Sequence, residues 1–178
     1  QMFHNFYVNP EYQDLLRFLW FEDNNKKKQV IEYQMTVHLF GNISSPAVAT
    51  FGLRKTADVG EEEFGQLARK FGYNDFYVDD GLTSCSNPEE AINLVKSTKA
   101  MLATANLKLH KIASNAVEVM KTMPLEDRLD SIQNLDLQRD PLPSQRYLGV
   151  MWNLEDDVLT FSISLRRKPF TRRGILSV

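Results

Sequence analysis

The chain has 178 residues, of which 43% are apolar and 11% aromatic, so it can bury one sizeable core, and its length favours a single domain over two. The formal net charge of −2 excludes the overall basic excess that announces nucleic-acid binding, so any basic contact surface has to be confined to one face. The single cysteine, Cys85, excludes an intrachain disulfide, and no apolar run approaches the length of a membrane span. We therefore expect a soluble, intracellular protein.

The first third of the chain predicts a short strand-rich region followed by helices. Residues 11–22 carry a dense apolar set that indicates a strand pair or a helix-to-strand passage, and a charged turn follows at residues 23–28. Residues 30–40 predict a strand with one apolar face at alternate positions. Ser44, Ser45 and Pro46 then predict the start of a helix that covers residues 47–57, and a second helix is expected to begin near Glu61.

The middle of the chain predicts a hairpin and a long helix. Residues 75–83 read as an apolar strand, an Asp80-Gly81 turn and a further strand, which is a strong local hairpin signal. The segment that begins at Asn87 resembles a capping box with proline just inside the helix. The helix that follows is expected to have one apolar face, formed by Ile92, Val95, Leu102 and Ala105.

The last third predicts more strands. We expect a strand at residues 107–110, a helical or irregular region to about Pro143, a strand at residues 147–152, and a final strand in which Leu159, Phe161, Ile163 and Leu165 face inward. Mixed strands and helices with a hairpin meander favour the α+β class, an antiparallel sheet with packed helices, over a parallel α/β sheet.

The strongest chemical candidate is the carboxylate pair Asp79 and Asp80 at the predicted hairpin. Neighbouring side chains on a strand point to opposite faces, so only a bend allows both acids to reach a shared ion. Mg²⁺ prefers oxygen ligands and is usually held by one or two carboxylates together with water and substrate phosphates. Acidic turns are also common on solvated hairpins, so the pair taken alone leaves both interpretations open.

Four segments in order resemble the motifs of reverse transcriptases. Tyr77-Val78-Asp79-Asp80 is similar to the tyrosine-x-Asp-Asp box, and residues 38–47 resemble the Phe-Gly and small-residue-Pro-Ala segment that supports the incoming nucleotide and template base. Residues 105–111 look like the next palm element, and residues 147–152 resemble the primer-grip hairpin. The amino-acid sequence at residues 2–4, 16–20, 110–115 and 168–174 most resembles that of the BEL/Pao family of LTR retrotransposons.

The resemblance implies a right-hand polymerase palm across residues 1–178, with partial fingers and the start of the connection to the thumb. It implies RNA-directed DNA polymerase activity, two Mg²⁺ ions with Mn²⁺ as the alternative, and a primed RNA or DNA template with deoxynucleoside triphosphates as partners. It carries over roles residue by residue: Asp79 and Asp80 as catalytic metal ligands, Phe3, Phe40, Gly41, Tyr77 and Lys111 as nucleotide-binding residues, and Leu148 and Gly149 as primer grip.

One departure from the family pattern limits the expected activity. The family carries a further metal-binding aspartate a few residues before the segment that matches Met2-Phe3-His4, and the chain begins after it. We therefore expect a piece of a pol polyprotein, truncated at both ends and nearly inactive without its other domains. The alternative is a non-catalytic retrotransposon-derived remnant that binds nucleic acid or protein. The cytoplasm or a virus-like particle is the expected location.

Two basic runs leave a further choice open. Lys26-Lys27-Lys28, and the arginines and lysine at residues 166–168 and 172–173, could contact phosphate, but a solvated face is the simpler interpretation. The aromatic pair Phe76 and Tyr77 could stack on bases, although aromatic residues in strands more often belong to the core.

His4, His38 and His110 lack the spacing of zinc ligands.

Overall fold

The computed structural model describes residues 2–161 and residue 171, and it has mixed α+β architecture. Within residues 2–161, the α-helices cover Ser45–Phe64 (α1), Gln66–Asn74 (α2), Pro88–Thr104 (α3), Val117–Thr122 (α4) and Asp130–Gln133 (α5). The strands of the same described part cover Arg17–Phe21 (β1), Val30–Gln34 (β2), Phe76–Tyr77 (β3), Asp80–Gly81 (β4), Ser144–Tyr147 (β5), Val150–Asn153 (β6) and Val158–Thr160 (β7). Short 3₁₀ helices lie at Met2–Asn5, Pro10–Leu16, Glu22–Asn24 and Leu125–Asp127.

The described strands form three small antiparallel sheets. β1 pairs with β2, β3 pairs with β4, and β5, β6 and β7 form a three-stranded meander. The predicted α+β class with antiparallel sheets and packed helices is confirmed. None of the helices within residues 2–161 is long and apolar enough to cross a membrane.

The main core lies where α1, α2 and α3 pack together. Small residues allow close approach: Ala57 and Ala68 are buried, and a Cβ added at Gly72 would lie 3.1 Å from the Cβ of Ala57. Met101 of α3 fills the space between the helices and is fully buried. A second cluster under the meander consists of Met120, Ile132, Leu142 and Leu154.

Several local expectations hold. A 3₁₀ helix leads into β1, as the helix-to-strand alternative predicted, and α1 starts at the predicted serine-proline signal. The Asn87 side chain caps α3 by accepting a hydrogen bond from the Glu90 N–H at 2.9 Å. Glu90 in turn accepts from the Ser86 N–H at 2.8 Å, one residue before the cap, which completes a variant of the predicted box.

Other local expectations are wrong. Helix α1 runs on to Phe64, and α2 begins at Gln66, because Gly65 takes a φ of +89° and breaks the helix there rather than near Glu61. The buried stripe of α3 consists of Leu94, Thr98, Met101 and Leu102, so only Leu102 of the expected set is correct as a buried residue. The predicted strand at 30–40 ends at Gln34, although half-buried and exposed residues still alternate as far as Val37.

The predicted strand at 107–110 does not form, and these residues belong to no helix or strand. The expected strand at 147–152 is two strands with a turn between them. Leu159 and Phe161 are exposed rather than inward-facing, while Ile163 and Leu165 lie outside the described residues, as do the basic residues at 166–168 and 172–173.

Candidate functional site

The carboxylate pair lies on a tight hairpin. Phe76 pairs with Gly81 and Tyr77 pairs with Asp80, so Val78 and Asp79 form a two-residue loop between β3 and β4. Of the two loop residues only Val78 has a positive φ, 59°, which is the pattern of a type II′ turn. The predicted hairpin is therefore present, but its turn is centred two residues before the expected Asp80-Gly81 position.

Aromatic packing fixes the base of this hairpin. The Phe76 ring lies 4.9 Å from the Phe71 ring of α2, centroid to centroid, and Phe76 packs against the main core. A Cβ added at Gly81 would lie 2.8 Å from Cζ of Phe76 and 3.0 Å from Cζ of Phe71. Glycine at position 81 thus allows β4 to approach the rings. Leu82 also donates its N–H to the carbonyl of Asp75 at 3.0 Å, which closes the hairpin.

The two acids are exposed and electrostatically coupled. Asp79 lies in the loop and Asp80 opens β4, so the bend keeps neighbouring carboxylates at one tip. Partial burial and then the negative charge of Asp79 raise the pKa of Asp80. A cation bound between them would relieve this repulsion.

A groove of about 690 Å³ runs between α1 and the hairpin. Its lining combines apolar, aromatic and charged side chains from α1, α2 and β3 with the loop residue Val78. The members are Pro46, Ala47, Thr50, Phe51, Arg54, Lys55, Asp58, Tyr73, Phe76, Tyr77 and Val78. Because Tyr77 and Val78 directly precede the carboxylates, the hairpin tip stands at the edge of this groove.

The Tyr73 ring organises the cationic part of the groove. The guanidinium groups of Arg54 and Arg69 each lie 5.0 Å from the centre of that ring. Arg54 also donates from Nε to the Tyr73 carbonyl at 3.1 Å, while Arg69 donates from Nε to Asp58 Oδ1 at 3.0 Å. Arg69 is thereby neutralised by an acid. Among residues 2–161, Arg54 has only a neutral carbonyl and ring as partners, so its charge is available beside the groove.

Three of the expected nucleotide-binding residues lie ahead of α1. The Phe3 and Phe40 rings contact each other edge to face, with centroids 5.7 Å apart. Phe3 is buried and Phe40 is 82% exposed, so Phe40 presents the accessible ring of this pair. Gly41 follows with a φ of +95°, a conformation that favours glycine. The fourth, Tyr77, lies on β3 and is 66% exposed at the groove.

The remaining expected site residues lie on later segments. Lys111 is exposed in the segment between α3 and α4 and has a φ of 58°. Leu148 and Gly149 form the two-residue turn between β5 and β6, with φ values of 46° and 89°, so they occupy a hairpin tip of their own. Burial first, and then the negative charges of Asp80 and Asp75, raise the pKa of the β5 residue Tyr147, just before this turn, so the second hairpin lies within electrostatic range of the first.

The donor set at the tip fits a single hard cation. Asp79 and Asp80 supply carboxylate oxygens, and Mg²⁺ is commonly held by one or two such groups with water and phosphate completing the shell. Within the described residues no group of three or more His, Cys, Asp or Glu side chains is placed to share one ion. The pair therefore fits a site that a substrate phosphate would complete.

Sequence reasoning missed Arg54, Tyr73 and Tyr147. Arg54 lies seven residues after Ala47 and four after Thr50, so it shares their helical face, and this spacing was an available signal. Tyr73 and Tyr147 carried no local signal, because only the packing of distant segments brings them to the hairpin.

Comparisons of the chain with protein-family models, with curated proteins and with solved structures find no match.

Proposed function

We propose that this chain is part of the palm of an RNA-directed DNA polymerase, and that Asp79 and Asp80 hold a divalent cation at which a deoxynucleoside triphosphate is joined to a primer. The observation that carries the proposal is the two-residue loop that keeps both carboxylates exposed at one tip beside the groove. The similarity of residues 77–80 to the tyrosine-x-Asp-Asp box, in order with three other motifs, supports the same function.

The roles of the chain's own residues follow from their positions. Asp79 and Asp80 would bind Mg²⁺, or Mn²⁺ as the alternative, through carboxylate oxygens. The bound ion would stabilise the charge that develops on the attacking 3′-oxygen and on the leaving pyrophosphate. Arg54 would attract phosphate groups toward the groove, because no acid in the described part of the chain neutralises its guanidinium.

Phe40 and Tyr77 are accessible rings, and either could pack against a base or sugar. Leu148 and Gly149 would guide the primer strand, since the preceding residue, Tyr147, lies within electrostatic range of Asp80. Phe3 would act through Phe40, against which its buried ring packs. Lys111 is the exposed cation that the resemblance assigns to the leaving pyrophosphate.

The first test measures Mn²⁺ binding to the chain by paramagnetic resonance. We expect Asp79→Asn and Asp80→Asn each to weaken binding at least tenfold, because each removes one of two charged ligands. Asp23→Asn, an exposed acid of the β1–β2 region, is the matched control and should bind like wild type. Equal Mn²⁺ affinity in all four proteins would remove the hairpin from metal binding.

The second test is primer extension on an RNA template, with any in-frame coding sequence that flanks the chain included in the protein. Activity that needs Mg²⁺ and is lost in Asp79→Asn supports the polymerase. The second candidate function is that of a non-catalytic remnant. The observation that favours it is that, within the described residues, no third acid is placed to share a metal ion with Asp79 and Asp80. Cation binding without any primer extension would decide for that remnant.

A further inference from the structure

The β1–β2 ribbon carries its apolar side chains on two unlike faces. In the observed register Phe18 pairs with Tyr33 and Trp20 pairs with Ile31, and residues directly opposite each other project to the same face of an antiparallel pair. These four side chains form what we call the aromatic face. Arg17, Leu19 and Phe21, with their partners on β2, project from the other face.

The aromatic face is open to solvent in its centre. Phe18 is 42% exposed and Trp20 is 47% exposed, while Tyr33 and Ile31 are half-buried. The Phe18 and Tyr33 rings stack with their centroids 5.7 Å apart and an interplanar angle of 22°. Trp20 donates its indole N–H to Oδ1 of Asn24 at 2.9 Å, which satisfies the polar edge of the ring and orients its plane.

The opposite face is neutralised by its own ion pairs. Arg17 bonds to Glu32 across the two strands and to Asp14 Oδ1 at 2.7 Å. The Gln34 side-chain amide donates to the same Asp14 oxygen at 2.9 Å. This face therefore offers neither an unpaired cation nor a stacked ring, although Leu19 and Val30 are exposed on it.

Unpaired positive charge lies at the tip of the ribbon. Lys28 forms an ion pair with Asp23, but Lys26 and Lys27 are exposed and have no ion-pair partner within residues 2–161. Within the described residues, Lys26 and Lys27 thus carry two unpaired positive charges at the turn between β1 and β2, at one end of the ribbon.

We propose that the aromatic face and the lysine tip together bind single-stranded nucleic acid, with Phe18 and Trp20 stacking on bases and Lys26 and Lys27 contacting phosphates. Rings two positions apart on one strand are spaced by about 6.7 Å, a separation at which unstacked bases can each meet one ring. Aromatic platforms beside cationic residues are the arrangement of proteins that bind single strands. A protein partner would favour an apolar face without adjacent free lysines.

The proposed binding surface shares no residue with the carboxylate hairpin and needs no divalent cation. Its test is therefore independent of the proposed polymerase activity. The test measures binding of 15-nucleotide oligo-dT and oligo-rU to the full chain through the fluorescence of Trp20. Trp152→Phe serves as the background, because Trp20 is then the remaining tryptophan. We expect quenching on binding, and unchanged binding in EDTA.

Two sets of variants separate the stacking and phosphate contacts. Phe18→Ala and Trp20→Ala should each lower the affinity by roughly 5- to 150-fold, the range for losing one stacked base, with anisotropy of a labelled strand as readout. Trp20→Phe should retain most of the affinity and shows that the fold survives. Lys26→Gln with Lys27→Gln should reduce the slope of log K against log salt by about 1.4.

The matched control is Leu19→Ala with Val30→Ala, which removes exposed apolar groups from the opposite face and should leave the affinity unchanged. Absence of Trp20 quenching, or an equal loss of affinity from both faces, overturns the proposal. Sedimentation provides a further readout. A concentration-dependent oligomer that Trp20→Ala dissociates, with oligonucleotide binding intact, would assign the aromatic face to a second copy of the chain instead.

Discussion

The carboxylate of Asp80 on β4 acts electrostatically on the phenol of Tyr147 on β5. Burial first, and then the negative charges of Asp80 and Asp75, raise the pKa of Tyr147 above its ordinary value of 10. Tyr147 precedes the Leu148-Gly149 turn, so the β5–β6 hairpin lies within electrostatic range of the carboxylate hairpin, about 70 residues earlier in the chain. Their proximity gives the proposed site a direct spectroscopic probe.

We expect Asp80→Asn to lower the pKa of Tyr147 without returning it to 10, since burial and Asp75 remain. The difference spectrum of phenolate absorbance between each protein and its Tyr147→Phe variant isolates this group from the other tyrosines. Because the folded pKa is raised, the free energy of unfolding should fall as pH rises from 10 through that pKa. Asp23→Asn should leave the Tyr147 titration unchanged, and an identical titration in Asp80→Asn would contradict the proximity.

Cation affinity at the hairpin should depend on the protonation of Asp80. Burial and then the charge of Asp79 raise its pKa from the ordinary 3.8, so protons compete with Mn²⁺ at a higher pH than for a free aspartate. We expect Mn²⁺ affinity to fall as pH is lowered through this pKa, and Asp79→Asn to lower the pKa only in part. Carboxyl NMR titration and Mn²⁺ binding at several pH values measure both, and a flat affinity profile would exclude Asp80 as a ligand.

The same shift has a consequence for stability. An acid whose folded pKa is raised binds more protons in the folded state, so the free energy of unfolding falls as pH rises from 3.8 through the raised pKa. Asp80→Asn should therefore be at least as stable as wild type at neutral pH. Urea unfolding at neutral pH checks this, and a clear destabilisation by Asp80→Asn would show that the charged carboxylate is instead stabilised by the fold.

Val78 is a β-branched residue with a φ of 59° at the hairpin tip, and this backbone conformation is strained for such a side chain. Such a conformation costs on the order of 1–3 kcal/mol, and glycine adopts it freely but loses about 0.5–1 kcal/mol in backbone entropy. We expect Val78→Gly to raise the free energy of unfolding by about 1 kcal/mol and to weaken Mn²⁺ binding, because the loop becomes less rigid. Val78→Ile keeps the strain and is the control. A loss of stability in Val78→Gly would contradict the strained loop.

Lys99 on α3 and Asp127 form an ion pair that ties the main core to the 125–127 helix. Asp127 is 1% exposed, and Lys99 is partly exposed. Lys99→Met would leave a buried carboxylate without its partner and should cost about 3 kcal/mol in urea unfolding. The double variant Lys99→Met with Asp127→Asn should recover part of that loss. Lys96→Met on the exposed side of α3 is the control, and an equal effect there would deny the ion pair any stabilising role.

Local signals predicted the hairpin and the cap of α3, but they misplaced the hairpin turn. Asp80-Gly81 has the composition of a tight turn, yet Gly81 lies in β4 opposite Phe76, where the Phe76 and Phe71 rings leave no room for a Cβ. The glycine is used for close packing, and the turn forms two residues earlier at Val78 and Asp79. The close approach of Gly81 to Phe71 of α2 determines where the turn forms. The residues of the hairpin alone do not reveal this contact, because Phe71 lies outside the hairpin.

The buried face of α3 was misjudged for a similar reason. Ile92 and Val95 are as apolar as the buried Leu94, so periodicity alone allowed a face rotated away from the real one. The position of α1 and α2 selected Leu94, Thr98 and Met101, because the small residues Ala57 and Gly72 leave space that Met101 fills.

The sequence by itself determined that two carboxylates lie side by side at a bend, because Asp79 and Asp80 are neighbours in the chain between apolar strand residues. Only the tertiary structure decided what surrounds them. Arg54, Tyr73 and Tyr147 reach the hairpin through the packing of helices and of a second hairpin, and such long-range contacts depend on how whole elements bury their apolar surface together.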